Sequence, residues 1–299
     1  MMQCAWRAGS RVSIVVLTYN RFEELCRTLE RLLALPQRYP VIVVDNGGTD
    51  GTAARLKHRF PGVLLVRAPR NLGAAGRNLG VAHVVTPYVA FCDDDTWWEP
   101  EALVTAVEIL ESKPELAVLS ARVLVGPEKQ PDATCSVMAE SPLPHIEGVG
   151  PQLIGFMAGA SIMRTQSFLD AGGYWAPFFI GGEEALLAMD ILDAGGIIAY
   201  APALEVSHWP SSFRDATLRR RTTARNELWT AWMRLPWLMA ARRTVHLLKT
   251  LPSLSVRIGV VCAAAYGWRQ VREHRRRLKP ATCLLFEKVW RHTDGVVRK

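Results

Sequence analysis

Apolar and polar positions follow two rhythms along this chain. Val12 to Leu17 is a short aliphatic run closed by Thr18-Tyr19-Asn20. Phe22, Leu25, Leu29, Leu32 and Leu33 then recur on one helix face, with Asn20 as the expected cap and Glu23 three residues on. Val41 to Val44 repeats the buried-strand pattern and ends in Asp45-Asn46-Gly47-Gly48-Thr49-Asp50-Gly51, a loop by composition. The pattern next predicts a helix over 52–60, a strand over 63–66, a helix over 73–84 and a strand over 88–92. That last strand runs straight into Asp93-Asp94-Asp95. Strands that are apolar throughout, alternating with amphipathic helices, predict an α/β fold: a mostly parallel sheet with helices on both faces. Ligands of such sheets bind beyond the carboxyl ends of the strands. Thr18-Tyr19-Asn20, Asp45-Asn46 and the aspartate triplet are therefore expected to share one site.

The second half is less regular. A helix is expected over 101–112 and a strand over 116–125, followed by a long loop, 126–152, rich in Pro and Gly and placed to act as a lid. Further strands are expected over 156–163, 197–200 and 204–207, with helices over 165–171 and 183–194. Beyond 210 the pattern reads as helices, one of which carries Leu228, Trp229, Trp232, Met233 and Leu235 on a single face.

Charge sharpens that division. Residues 1–209 carry 16 Lys/Arg against 23 Asp/Glu, whereas residues 210–299 carry 20 against 5. Six of the ten tryptophans lie at or beyond the changeover. We therefore expect a catalytic unit over 1–210 and a basic, Trp-rich helical extension over 211–299. Three uses of the extension follow from composition: an anionic membrane surface, nucleic acid, or packing on the acidic unit. No recognised nucleic-acid module accompanies it, so nucleic acid is the unfavoured one. The six cysteines have no metal-ligand spacing and read as reduced thiols. Met1 to Ser10 lacks the apolar stretch of a signal peptide, and no apolar run approaches the roughly 18 residues of a membrane span. A cytoplasmic location, peripheral on the inner face of the cell membrane, is the expectation.

The aspartate triplet is the densest chemistry in the chain. Like charges in a row repel, and a fold tolerates them best with a cation held nearby. Hard oxygen ligands at the mouth of a sheet suit Mg²⁺ or Mn²⁺ carrying substrate phosphates. A solvated acidic turn capping the helix begun by Pro100-Glu101 is the competing reading.

Four motifs in order now carry a resemblance. Val12 to Arg21, Val41 to Thr52, Asn71-Leu72-Gly73-Ala74-Ala75-Gly76-Arg77-Asn78 and Phe91 to Asp95 resemble the opening of a family 2 glycosyltransferase. Weaker matches run through Gly159 to Arg164, Gly172-Gly173-Tyr174, Gly182-Glu183-Glu184 and His208. The resemblance implies the GT-A fold, a Rossmann-like sheet, and an inverting, metal-dependent enzyme. It would move a sugar from a nucleoside-diphosphate sugar, UDP- or dTDP-linked, to a hydroxyl of a glycan or lipid-linked acceptor.

The resemblance also assigns residues. Thr18, Tyr19 and Asn20 would flank the base, and Asp45 would accept from the ring N–H of uracil or thymine. Arg77 would lie near the diphosphate, although a surface arginine on a helix is the plain alternative. Asp93 would contact the ribose, Asp94 would support, and Asp95 would hold the Mn²⁺ or Mg²⁺, with His208 as second ligand or diphosphate contact. The acidic pair Glu183-Glu184 supplies the base, with Glu184 preferred; acidic residues also favour helix N-termini without any catalysis. Leu186 and Asp190 depart from the pattern that often follows this pair. Trp97, Trp98 and Trp175 are candidate acceptor platforms, since sugars pack on aromatic faces, with core packing as the alternative. Two rival functions remain: a sugar nucleotidyltransferase, which would want a Gly-rich, Arg-bearing loop after the first strand, and a non-catalytic binding protein on the same fold.

Overall fold

The first strand, β1 (Val12–Thr18), lies at the centre of a mixed sheet because five of its seven side chains are aliphatic and almost all are buried. The computed structural model describes residues 9–210 and 216–296, the side chains of 216–219 and 294–296 excepted. Cys4, most of the N-terminal segment and the start of the 211–299 extension lie outside the described residues.

After β1 come α1 (Phe22–Leu33), β2 (Val41–Asp45), α2 (Thr52–Arg59), β3 (Leu64–Arg67), α3 (Gly76–Val81) and β4 (Tyr88–Asp93). The middle of the chain holds β5 (Thr96–Trp98), α4 (Ala102–Ser112), β6 (Leu116–Val125), β7 (Gln130–Pro131), α5 (Ala133–Ala139), β8 (His145–Ile146) and β9 (Gly150–Pro151). Next are β10 (Ala160–Arg164), α6 (Thr165–Asp170), α7 (Glu183–Asp193) and β11 (Ile197–His208). The extension contributes α8 (Ala216–Arg234), α9 (Trp237–Thr250), α10 (Leu254–Tyr266), α11 (Trp268–Glu273) and α12 (Pro280–Val296).

The main sheet runs β3-β2-β1-β4-β10-β6-β11-β5, with β7 added to β6. The first four strands are mutually parallel, and β6 and β11 form a second parallel pair, while β10 and β5 run antiparallel to their neighbours. The expected α/β architecture, mostly parallel with surrounding helices and a helical C-terminal region, is therefore observed. Parallel register explains the site: Thr18 lies opposite Asp45, and Leu17 opposite Asp93. Three strand ends thus finish level, and the residues after them face one crevice.

Several local expectations are corrected. The helix over 73–84 is a single 3₁₀ turn, Gly73–Ala75, followed by the short α3. Gly73 sits at φ +60°, and a Cβ there would lie 1.9 Å from the Phe179 carbonyl oxygen, so only glycine lets this turn close on the opposite loop. Asn20 does not cap α1: it takes φ 54° and its side-chain oxygen accepts from the Thr49 N–H at 2.8 Å. The strand expected over 156–163 begins only at Ala160. The two strands over 197–200 and 204–207 are one long β11 with a register shift between Ala201 and Glu205, around Pro202, which has no N–H to donate. The 126–152 segment is not a plain loop. It carries β7, β8, β9 and α5, whose cap Asp132 accepts from the Thr134 N–H at 2.8 Å.

Apolar side chains from both faces of the sheet form the main core. A second cluster joins Phe178 and Leu186 to Leu228, Trp229 and Met233 of α8 and to Val260 and Ala264 of α10. A third joins Met189 of α7 to Leu235, Leu278 and Phe286. Helix α7 therefore lies between the sheet and the extension. Its Asp190 is buried and accepts both from Arg234, at 2.5 and 2.8 Å, and from Arg276 at 2.8 Å. Leu186 and Asp190, the two departures after the acidic pair, are thus among the residues by which α7 grips the extension, with Met189 and Asp193.

Candidate active site

A cavity of about 960 Å³ opens over the carboxyl ends of β1 and β4. Thr18, Tyr19, Asn20, Arg77, Asp93, Asp94, Asp95, Glu183, Glu184 and His208 all line it. These residues are far apart in sequence; the level ends of β1 and β4 and the pairing of β5 with β11 bring them together.

The triplet is divided by its surroundings. Asp94 is buried, accepts from the Thr18 hydroxyl at 2.9 Å and pairs with Arg21 at 3.2 Å, while its main-chain oxygen accepts from the Thr28 hydroxyl at 2.8 Å. Burial pushes its carboxyl up to about 7 against the pull of Arg21, with Asp95 and Asp93 adding to the rise. Asp93 is half-exposed and ion-pairs with the buried Arg77. Gly159 leaves it room, since a Cβ there would come within 2.7 Å of its carboxylate. Asp95 is buried, and its carboxylate lies 3.6 Å from Nε2 of His208 and 3.9 Å from Arg21. Antiparallel pairing of β5 with β11 sets His208 opposite Thr96 and so delivers it to the triplet. The acidic turn is therefore buried and braced by two guanidiniums, and β5 separates it from α4; the reading of a solvated helix cap is corrected.

Arg77 is buried as well, so the surface-arginine reading is corrected. Burial works against its charge, but Asp93, together with Tyr174, Glu183 and Glu184, outweighs it and holds the guanidinium firmly protonated. Its Nε has no hydrogen-bond partner among the described residues, and neither has Oε2 of Glu183. Unpartnered buried polar atoms on a cavity wall are where a polar ligand gains most.

Glu183 and Glu184 occupy the first turn of α7, after Gly182 in the left-handed region at φ 78°. Glu183 is buried and Glu184 half-buried. The loop ahead of them is held by a residue of α8. The amide of Asn226, fully buried on α8, donates to the carbonyls of Phe178, Ile180 and Gly181 at 3.0, 3.2 and 2.7 Å. Arg225 adds donations to Pro177 and Phe178.

Asp45 lies deeper than expected. It is buried off the cavity wall; one oxygen accepts from the Gly48 N–H at 2.8 Å, and the other has no hydrogen-bond partner among the described residues, with Arg67 at 3.6 Å. Its neighbour Asn46 lines the cavity, donating to Asn71 at 3.0 Å and to the Gly73 carbonyl at 2.9 Å. Tyr19 stands exposed at the mouth. Arg21, Asn46, Asn71, Asp132 and Thr134 are cavity residues to which sequence reading gave no role. The acceptor platforms are corrected: Trp98 is fully buried and Trp97 nearly so, both in the core. Trp175 packs between Phe178, Trp229 and His274, away from the cavity wall.

Asp95 is an oxygen donor suited to Mn²⁺ or Mg²⁺, whereas the His208 nitrogen is a poor donor to Mg²⁺ and favours the softer Mn²⁺. Among the described residues no group of three or more His, Cys, Asp or Glu side chains is arranged to hold a metal. Such a pair fits an ion that takes its remaining ligands from water and a bound diphosphate.

Comparison with known proteins bears on the family and the fold. The sequence pattern described as Glycosyl transferase family 2 matches residues 13–173. An N-acetylglucosaminyl-diphospho-decaprenol L-rhamnosyltransferase of Mycobacterium tuberculosis is 24% identical over 234 residues, covering 65% of this chain and 75% of the relative. A Pyrobaculum calidifontis mannosyltransferase, solved with GDP-Man and Mn²⁺, superposes with a TM-score of 0.58 at 18% identity, covering 95% of this chain and 88% of that one. S. aureus TarS, solved with UDP-GlcNAc, superposes at 0.61 and 17% identity, covering 80% and 71%.

Proposed function

Since the chain belongs to glycosyltransferase family 2 and has its GT-A fold, we propose that it is a metal-dependent, inverting enzyme using a UDP- or dTDP-linked sugar. The observation that carries this reading is the convergence of Arg77, Asp93, Asp95, His208 and the Glu183-Glu184 pair on one cavity.

In this reading the donor lies across the ends of β1 and β4. Thr18 and Tyr19 flank the base, and Asp93 takes the ribose through the oxygen not engaged by Arg77. Asp45 accepts from the base N–H with its unpartnered oxygen, which requires the Asn46 to Gly48 turn to admit the base edge. Arg77 faces the diphosphate, and Asp95 and His208 hold the divalent ion. When bound, that ion supplies countercharge for the negative charge that grows on the departing diphosphate. Glu184 accepts the proton of the acceptor hydroxyl as its oxygen attacks the anomeric carbon. One C–O bond forms as the sugar–diphosphate bond breaks, and the nucleoside diphosphate leaves with the electron pair. Attack from the face opposite the leaving group inverts the anomeric centre.

The rhamnosyltransferase relative acts on a diphospho-decaprenol substrate by its name, which supports a lipid-linked acceptor and hexosyl or deoxyhexosyl transfer here. A lipid-linked acceptor suits an enzyme peripheral on the inner face of the cell membrane, with residues 1–210 as catalytic unit and 211–299 as an extension. Incubation with UDP-, dTDP- and GDP-sugars plus Mn²⁺, read by released nucleoside diphosphate, tests the proposal. Release from a UDP- or dTDP-sugar is the expected outcome. No release from any donor, together with no metal-dependent nucleotide binding, contradicts it.

A further inference from the structure

Helix α10 turns its most apolar side to solvent. Leu254, Ile258 and Val261 are 70, 55 and 37% exposed and follow one another at i, i+4 and i+7, a single stripe. Cys262 and Ala265 extend it, and Tyr266, at the helix end, is 95% exposed. The opposite side, Val260 and Ala264, is buried in the cluster that holds Leu228, Trp229 and Met233. The indole N–H of Trp229 donates to the Ala264 carbonyl at 2.8 Å, and a Cβ on Gly267 would meet the same ring at 2.1 Å. The helix is thus fixed to α8 with its stripe outward. At the start of α11, half-exposed Trp268 lies 6.1 Å from half-exposed Trp237 of α9, adding two amphipathic rings.

The charges in this region are mostly of one sign. Residues 227–273 hold seven Lys/Arg and two Glu, Glu227 and Glu273, which pair with Arg243 and Arg269. Arg242, Lys249, Arg269 and Arg272 are exposed among them. An apolar stripe without charge, in a segment rich in cations, has the composition of a helix that lies in a lipid interface. At 13 residues α10 is about 20 Å long, and no described helix is long and apolar enough to cross a membrane. A second copy of the chain is the other occupant an apolar stripe invites. It would bring two strongly net-cationic segments face to face, whereas an anionic bilayer complements them.

We infer that the exposed face of α10, with Trp237 and Trp268 beside it, docks this protein on an anionic lipid surface. The inference deepens the lipid-linked acceptor reading, but its test reads vesicle binding and not transfer, so either can fail alone. The full chain is floated with phosphatidylcholine vesicles and with vesicles that also contain phosphatidylglycerol. It is compared with a Leu254→Asp/Ile258→Asp double variant and a Leu169→Asp control, which alters an exposed leucine on α6. Circular dichroism checks that each variant folds, and light scattering reports the oligomeric state.

The expected result is binding that favours the phosphatidylglycerol vesicles and weakens as salt rises. The double variant should lose it on the order of tenfold or more, and the control should keep it. Blue-shifted tryptophan emission on binding should disappear in the same variant. No binding to anionic vesicles at low salt, or equal binding by parent and double variant, overturns the inference. A dimer that the double variant dissolves assigns the stripe to a second copy and overturns it as well.

Discussion

Asp94 and Asp95 differ by one position and by everything around them. Asp94 is sealed under Thr18, Thr28 and Arg21, while Asp95 turns toward His208. The family resemblance implies that division of roles, but the braces are not legible in the sequence, because Arg21 and Arg77 reach the triplet only through tertiary packing. The base assignment is the residue-scale claim with the cleanest test. Glu184→Gln keeps size and removes proton affinity, so kcat should fall about 10²–10⁴-fold while donor binding stays unchanged; full activity would move the base elsewhere. A second test concerns Glu99. Burial pushes its carboxyl up, but the Ser207 hydroxyl at 2.6 Å and the Lys129 ammonium at 2.9 Å outweigh it and hold it below the usual value. A depressed folded pKa contributes stability above the unfolded value and loses it as pH falls through the folded one. Glu99→Gln should therefore lower the Tm at neutral pH and lower it less at an acid pH below the folded value, where the parent carboxyl is neutral as well. An equal loss at both pH values would contradict the pairing.

At the scale of elements, the strands β1, β2 and β4 were readable because each is apolar throughout and buried on both faces. Three-residue β5 was not. Thr96-Trp97-Trp98 is too short for periodicity, and its stability comes from pairing with β11 more than a hundred residues later. That pairing buries the tryptophans taken for acceptor platforms and explains the error. Helix α5 is not legible in the sequence although Asp132 caps it, because its seven residues stand among the prolines and glycines of 126–152. The loop before α7 depends on Asn226, a buried amide serving three carbonyls. Asn226→Ala removes the amide donor from the Ile180 and Gly181 carbonyls, Phe178 keeping Arg225, and should destabilise by about 2–4 kcal/mol in urea unfolding. If its role is to position Glu183 and Glu184, kcat should also drop while the donor KM changes little. Loss of stability with kcat intact would confine it to structure.

Across the whole molecule, the charge asymmetry seen in the sequence takes a physical form. The extension is held to the first 210 residues through α7, by apolar clusters and by Asp190 with Arg234 and Arg276, so the helix that bears the acidic pair is gripped from both sides. Composition alone could not choose between packing and surface binding, since both draw on the same Trp- and Arg-rich helices. The fold shows the packing, and the outward stripe of α10 motivates the vesicle test. The central claim is that a nucleoside diphosphate binds at the level strand ends through an ion held by Asp95 and His208. Calorimetric titration of UDP and dTDP, with and without Mn²⁺, into the parent and Asp95→Ala tests it most directly. The account predicts that Mn²⁺ tightens binding of at least one nucleotide to the parent by about tenfold or more, and that Asp95→Ala loses this gain. Equal affinities with and without the ion, or a gain retained by Asp95→Ala, would contradict it.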